Sequence, residues 1–182
     1  MELEIEVVRK AVEGIYNCLT KDPYALVRIK SAIAFNCILK HKTAKQLVQP
    51  LLKDILTVYL QLLDNYDLEN IINSLESIVE DFANEIAPFA LELIKHLAKL
   101  FFKLFNKDAE QANQEDYDGE AELAAAGCLK TITRNIESPI SQDTIIHIEP
   151  EVLSILEFVF VEEGFDYIED SLVLLNAYLF KS

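Results

Sequence analysis

An aspartate-led helix start recurs four times along this chain. Asp22-Pro23-Tyr24-Ala25-Leu26-Val27-Arg28, Asp67-Leu68-Glu69, Asp118-Gly119-Glu120 and Gly164-Phe165-Asp166-Tyr167 each head an apolar-periodic run. Counted between the aspartates, the starts lie 45, 51 and 48 residues apart. A period in this range is that of a helix-pair repeat, a unit that cannot bury its apolar stripe alone and stacks on its neighbours. Such a stack is an extended surface, so the architecture points to binding rather than to catalysis.

The runs between these starts are helical in period. Ile5, Val8, Val12, Ile15 and Leu19 step by three and four residues. Lys45 to Leu63 carries an apolar stripe broad enough to be packed on two sides, as a repeat helix requires. Pro50 lies one turn into that run, where it kinks or restarts the helix, and Pro88 holds the like place in Ala87-Pro88-Phe89-Ala90. Leu123 to Ile136 is rich in small residues and is expected against a neighbour's backbone. Asp22 is expected to cap the second helix with Pro23 at its first position, and Pro150 to open a helix from Glu151 to Val161 after an irregular stretch from Glu137 to Ile148. With 4 Gly and 5 Pro in 182 residues, little interrupts long helices. The expected fold is all-α, an α-α superhelix of the HEAT or armadillo-like type. Residues 1–182 are expected to form one HEAT-repeat segment, with about four antiparallel helix pairs at 1–41, 42–83, 84–136 and 137–182.

Charge is unevenly placed. Residues 1–63 hold 9 basic and 6 acidic residues, net +3, whereas residues 64–182 hold 7 and 25, net -18. A surface so acidic repels phosphate backbones, which argues against direct nucleic-acid binding, and it attracts basic proteins. The acidic balance also serves solubility. The three scattered cysteines, Cys18, Cys37 and Cys128, fit reduced thiols and show no zinc spacing. The acidic N-terminus lacks the basic region of a signal peptide, and no run is long and apolar enough for a membrane span, so no membrane association is expected.

Catalytic chemistry finds no footing. His41, His96 and His147 are far apart, and neither a phosphate-cradling glycine loop nor a nucleophile elbow is present. No enzyme activity, cofactor or metal is expected. Asp22 and Arg28 stand six residues apart, as in the Asp/Arg ladder of HEAT repeats, but the other starts lack the partner: Asp67 is followed six on by Asn73, and Asp118 by Ala124. The segment Lys107 to Glu122 holds seven acids, Asp108, Glu110, Glu115, Asp116, Asp118, Glu120 and Glu122, against one lysine. It is expected to be a mobile acidic loop, 107–122, joining two helices. It reads either as an electrostatic lure for a basic partner or as a solvated insertion. Phe101, Phe102 and Phe105 crowd one helix with Leu104, and they meet either an adjacent repeat or a partner's apolar side chain.

Several of these stretches resemble the importin-beta superfamily of nuclear transport receptors, also called karyopherins. Asp22-Pro23 through Val27-Arg28, Ala32-Ile33-Ala34 and Leu68-Glu69-Asn70-Ile71-Ile72-Asn73 carry the resemblance, together with Ala126-Gly127-Cys128-Leu129-Lys130-Thr131-Ile132. Its most specific part is Ile78 to Leu97, centred on Phe82-Ala83-Asn84-Glu85-Ile86-Ala87-Pro88-Phe89-Ala90. The branch of large import receptors containing importins seven and eight is the most similar. The resemblance implies a central piece of a longer HEAT-repeat receptor that binds basic protein cargo and carries it into the nucleus. Ran-GTP then drives release, mainly through regions outside this piece. It also implies nucleoporins among the partners and residence in cytoplasm and nucleus. A HEAT-repeat scaffold subunit of a non-transport complex would share the fold without Ran-linked release.

Overall fold

The computed structural model describes residues 2–66, 69–111 and 119–182. Among the described residues ten α-helices follow one another: α1 (Glu2–Lys21), α2 (Ala25–Ile38), α3 (Lys42–Val48), α4 (Leu52–Asn65), α5 (Glu69–Asp81), α6 (Ala83–Ile86), α7 (Ala90–Gln111), α8 (Glu120–Glu137), α9 (Gln142–Val159) and α10 (Ile168–Lys181). Among the described residues there is no strand. The fold is an all-α, HEAT-like helical stack, in two compact units, Met1–Tyr66 and Asp67–Ser182.

The count exceeds eight because two prolines each split one expected helix. Pro50 sits in a 3-10 turn, Gln49–Leu51, between α3 and α4, and Pro88 sits in a matching turn, Ala87–Phe89, between α6 and α7. A proline donates no N–H and crowds the preceding turn, so the chain tightens to 3-10 geometry and restarts. The recurrent aspartates stand two or three residues before α2, α5, α8 and α10.

In the first unit α1 packs on α2, α3 and α4. Leu19, Phe35, Leu39, Ile55 and Leu63 are fully buried among them. Buried Tyr59 of α4 donates its hydroxyl to the Ala32 carbonyl of α2, which satisfies a phenol that would be costly to bury alone. Asp22 does not cap α2 directly. Its carboxylate accepts the Tyr24 N–H at 2.9 Å in an Asx turn, and Tyr24 is the residue that precedes the first helical turn. Nor do Asp22 and Arg28 meet as a ladder: Arg28 Nε donates to the Leu19 carbonyl at 3.1 Å, in the last turn of α1, where a cation suits the helix dipole.

In the second unit the helices fall into two rows. One row is α5, α8 and α10, and the other is α7 and α9. Side-chain contacts give the directions. Glu76 of α5 meets Arg134 of α8 and Ile72 lies opposite Gly127, so α5 and α8 run parallel. Lys95 meets Glu151 and Phe105 meets Phe158, so α7 and α9 also run parallel. Gln142 at the start of α9 reaches the carbonyl of Ser182 just past the end of α10, so that pair is antiparallel. Parallel neighbours within a row and antiparallel partners across rows define a stack of helix pairs. Helix α8 lies at the centre, against α5, α7 and α10. A Cβ at Gly127 would come within 2.9 Å of the Ile72 side chain, so the small-residue helix closes on a side chain there and not on backbone. Its buried Thr131, Thr133 and Asn135 each donate to the carbonyl four residues back, which satisfies their donors, while the Asn135 Oδ1 stays buried without a donor among the described residues.

Helix α9 starts far earlier than Pro150. Ser141 Oγ accepts the Thr144 N–H at 3.1 Å as an N-cap, and Ile145, Ile148, Val152, Ile155 and Val159 are buried along one continuous face. Pro150 lies inside the helix on its exposed side. The carbonyl it leaves without a donor belongs to Ile146, itself 60% exposed, where water can take over the bond.

Candidate partner-binding surface

The expected acidic loop is shorter than 107–122. Helix α7 runs on through Lys107 to Gln111, so the backbone of Asp108 and Glu110 is helical. Glu115, Asp116 and Asp118 lie outside the described residues. Gly119 has φ 70°, a left-handed conformation that glycine adopts without strain, and it turns the chain into α8. Glu120 and Glu122 then occupy the exposed first turn of α8, where the helix dipole favours carboxylates. Of the sequence-predicted acids, two therefore stand in the last turns of α7 and two in the first turn of α8.

A second charged feature escaped the sequence reading. Glu76 of α5, Lys130, Arg134 and Glu137 of α8 and Asp170 of α10 line a shallow cavity of about 250 Å3. Arg134 Nη1 donates to Glu137 at 3.1 Å and Arg134 Nε lies 3.7 Å from Glu76. The Glu137 hydrogen bond, with the fields of Glu80 and Glu76, holds the guanidinium charge more firmly than usual. The Arg134-Glu137 spacing of three was visible in the sequence, but the approach of Glu76 depends on how α5 packs on α8. These carboxylates flank an arginine that is nearly half exposed, so the cluster orients charge at the surface and adds little stability.

The aromatic cluster closes on itself. Phe101 is fully buried, with ring centroids 5.3 Å from Tyr167 and 6.0 Å from Phe158. Phe105 stacks edge-on against Phe158 at 4.6 Å and Phe102 against it at 5.4 Å. These contacts join α7 to the end of α9 and to the 3-10 turn Glu162–Tyr167. Phe101 is therefore core, and no partner reaches it.

The thiols divide by burial. Cys37 is exposed, Cys18 half-buried and Cys128 fully buried in α8. Burial pushes the Cys128 thiol well above the ordinary value of 9.0. A thiol reagent at mildly alkaline pH is expected to label Cys37 in the native protein and Cys128 only after unfolding, a difference that mass spectrometry reads directly. Because the folded value is raised, the stability linked to Cys128 is fully present below pH 9.0 and is lost as pH rises above it. Cys128→Ala should flatten that alkaline loss.

Among the described residues, no group of three or more His, Cys, Asp or Glu side chains is placed to hold a metal ion. No helix among them is long and apolar enough to cross a membrane.

No protein-family model matches the chain, and no solved structure matches it. Curated proteins do. An importin beta-like SAD2 homolog of Arabidopsis thaliana is 29% identical over 151 residues, 82% of this chain. A probable importin-7 homolog of Dictyostelium discoideum is 26% identical over 153 residues, again 82% of the chain. Human importin-8 is 23% identical over 208 residues, 94% of the chain. The relatives are importin-beta-like proteins. The likeness to importins extends over most of the chain, and the all-helical stack agrees with it. The chain spans 14% of the length of the first two importins and 20% of the human one.

Proposed function

We propose that this chain is a stretch of HEAT repeats from an importin-beta-type nuclear import receptor, with helix pairs at 1–41, 42–83, 84–136 and 137–182. The observation that carries the reading is the match to several importins across 82–94% of the chain. The receptor binds basic protein cargo in the cytoplasm and gives it up in the nucleus, where Ran-GTP engages regions outside this stretch. No step of this cycle asks the chain for catalysis, metal or cofactor. In permeabilised cells supplied with Ran and an energy source, the intact receptor should carry a fluorescent basic cargo into nuclei. Cargo that stays outside at the level seen without receptor would count against the reading.

The acidic end of the second unit supplies the attraction. The net charge of -18 on residues 64–182 and the acids from Asp108 to Glu122 support this role. Exposed charges act over roughly 8 Å at physiological salt, and each exposed pair contributes about 0.2–1 kcal/mol. Replacing Glu110, Glu115, Asp116, Asp118 and Glu120 together with Ser or Gln in the intact receptor is expected to weaken cargo binding and flatten its salt dependence. Titrations at several salt concentrations check this. Unchanged affinity and slope would make the segment a solvated insertion.

A further inference from the structure

Residues 64–182 carry 7 basic side chains against 25 acidic ones, and four of the seven fall on one helix at a constant spacing. They are Lys95, Lys99, Lys103 and Lys107 of α7, each four residues after the last. Lys95, Lys99 and Lys103 are exposed, and Glu92 and Asn106 share their side of the helix. Leu93, Leu97, Leu100, Phe101 and Leu104, on the opposite side, are buried. That buried side packs on α8, while Phe102 and Phe105 turn towards α9. The three lysines therefore point away from the stack. Repeats stacked before or after this stretch would flank α7 and leave its outward side open.

Neither helix chemistry nor local pairing accounts for this line. Like charges four residues apart on a helix repel and destabilise it. The helix dipole favours cations in the last turn, and Lys95 and Lys99 stand well before the end of α7 at Gln111. Lys95 Nζ meets Glu151 of α9 at 3.8 Å, a loose contact at a lysine that stays 49% exposed. Lys99 has no ion pair or hydrogen bond among the described residues.

We propose that this outward line of α7 binds a short acidic segment of a partner protein. The helical rise puts successive lysines about 6 Å apart. In an extended chain alternate side chains point the same way and stand about 6.6 Å apart. Carboxylates at every second residue of an extended segment thus keep step with the lysines, and Lys95 to Lys103 takes about five such residues. The surrounding charge sets the specificity. A basic segment meets attraction over most of residues 64–182, whereas an acidic one finds a single line where cations outnumber acids. A long polyanion such as a nucleic acid runs past the line into repulsion, because exposed charges are felt over roughly 8 Å. The site is distinct from the acids between Asp108 and Glu122 and does not rest on the transport reading.

Fluorescence polarisation of a dye-labelled Glu-Ser-Glu-Ser-Glu peptide titrated with this chain tests the proposal. The peptide should bind, and binding should weaken several-fold as salt is raised. Lys99→Glu should weaken it about fivefold, the scale of one exposed pair. Lys95→Gln, Lys99→Gln and Lys103→Gln together should abolish it. Lys53→Glu makes the same charge change as Lys99→Glu at an exposed position of the first unit and should leave binding as it was. All these positions are exposed, and circular dichroism checks that each variant keeps its helices. Lys99→Glu alone decides the matter if the triple variant unfolds. A peptide that does not bind overturns the proposal, as does binding that survives the folded triple variant or falls equally with Lys53→Glu. A single-stranded oligonucleotide of equal charge that binds more tightly than the peptide also overturns it.

Discussion

Replacing Phe101 with alanine is expected to lower the stability of the Asp67–Ser182 unit by about 3–5 kcal/mol. The ring is fully buried and meets Phe102, Phe158 and Tyr167 edge to face, so truncation removes its burial and leaves a cavity among aromatics. Tyr167 and Phe158 stand on separate elements, and Phe101, the fully buried ring, contacts both, as does half-buried Phe105. Urea unfolding followed by far-ultraviolet circular dichroism measures the loss. Phe102→Ala, at a half-buried ring on the same helix, should cost clearly less. Equal effects at the two positions would mean that the cluster is not centred on Phe101.

Gly164→Ala is the second large effect. A Cβ there would come within 2.7 Å of the Val159 Cα and 3.0 Å of the Phe158 carbonyl oxygen. Both are backbone atoms of α9, which cannot rotate away as a side chain could. The extra methyl therefore pushes the turn Glu162–Tyr167 off the end of α9 and disturbs Tyr167 with it, at a cost of about 1–3 kcal/mol. Gly14→Ala is the control. Gly14 lies exposed within α1 with open space around it, so the alanine should stabilise its helix by about 0.5–1 kcal/mol. Opposite signs for the same chemical change test the packing at Gly164 and not glycine chemistry in general.

Periodicity made most of the fold legible, and the misreadings came from residues that periodicity does not govern. Pro50 and Pro88 were rightly paired, because a proline one turn into an apolar run has few outcomes. Pro150 misled, because its effect depends on which side of the helix it faces. It faces solvent, so the helix runs through it from the Ser141 cap. The Ser141-x-x-Thr144 pattern was the available signal. Asp22 misled by one turn of chain, since an Asx turn and an N-cap use the same side chain and differ only in which N–H it accepts. At the candidate surface, composition exposed the acidic segment but not its ends. Ala109 and Gln111 are good helix formers, and they let α7 run on into it. The Arg134 cluster joins residues from α5, α8 and α10, and no single window of sequence contains it.

The most direct test of the transport reading is Ran-dependent release. The intact receptor that carries this chain is bound to an immobilised basic cargo and washed with Ran loaded with GTP or with GDP. The account predicts that Ran-GTP elutes the receptor and that Ran-GDP leaves it bound. A receptor that holds its cargo equally in both would contradict transport and leave a HEAT-repeat scaffold as the better description.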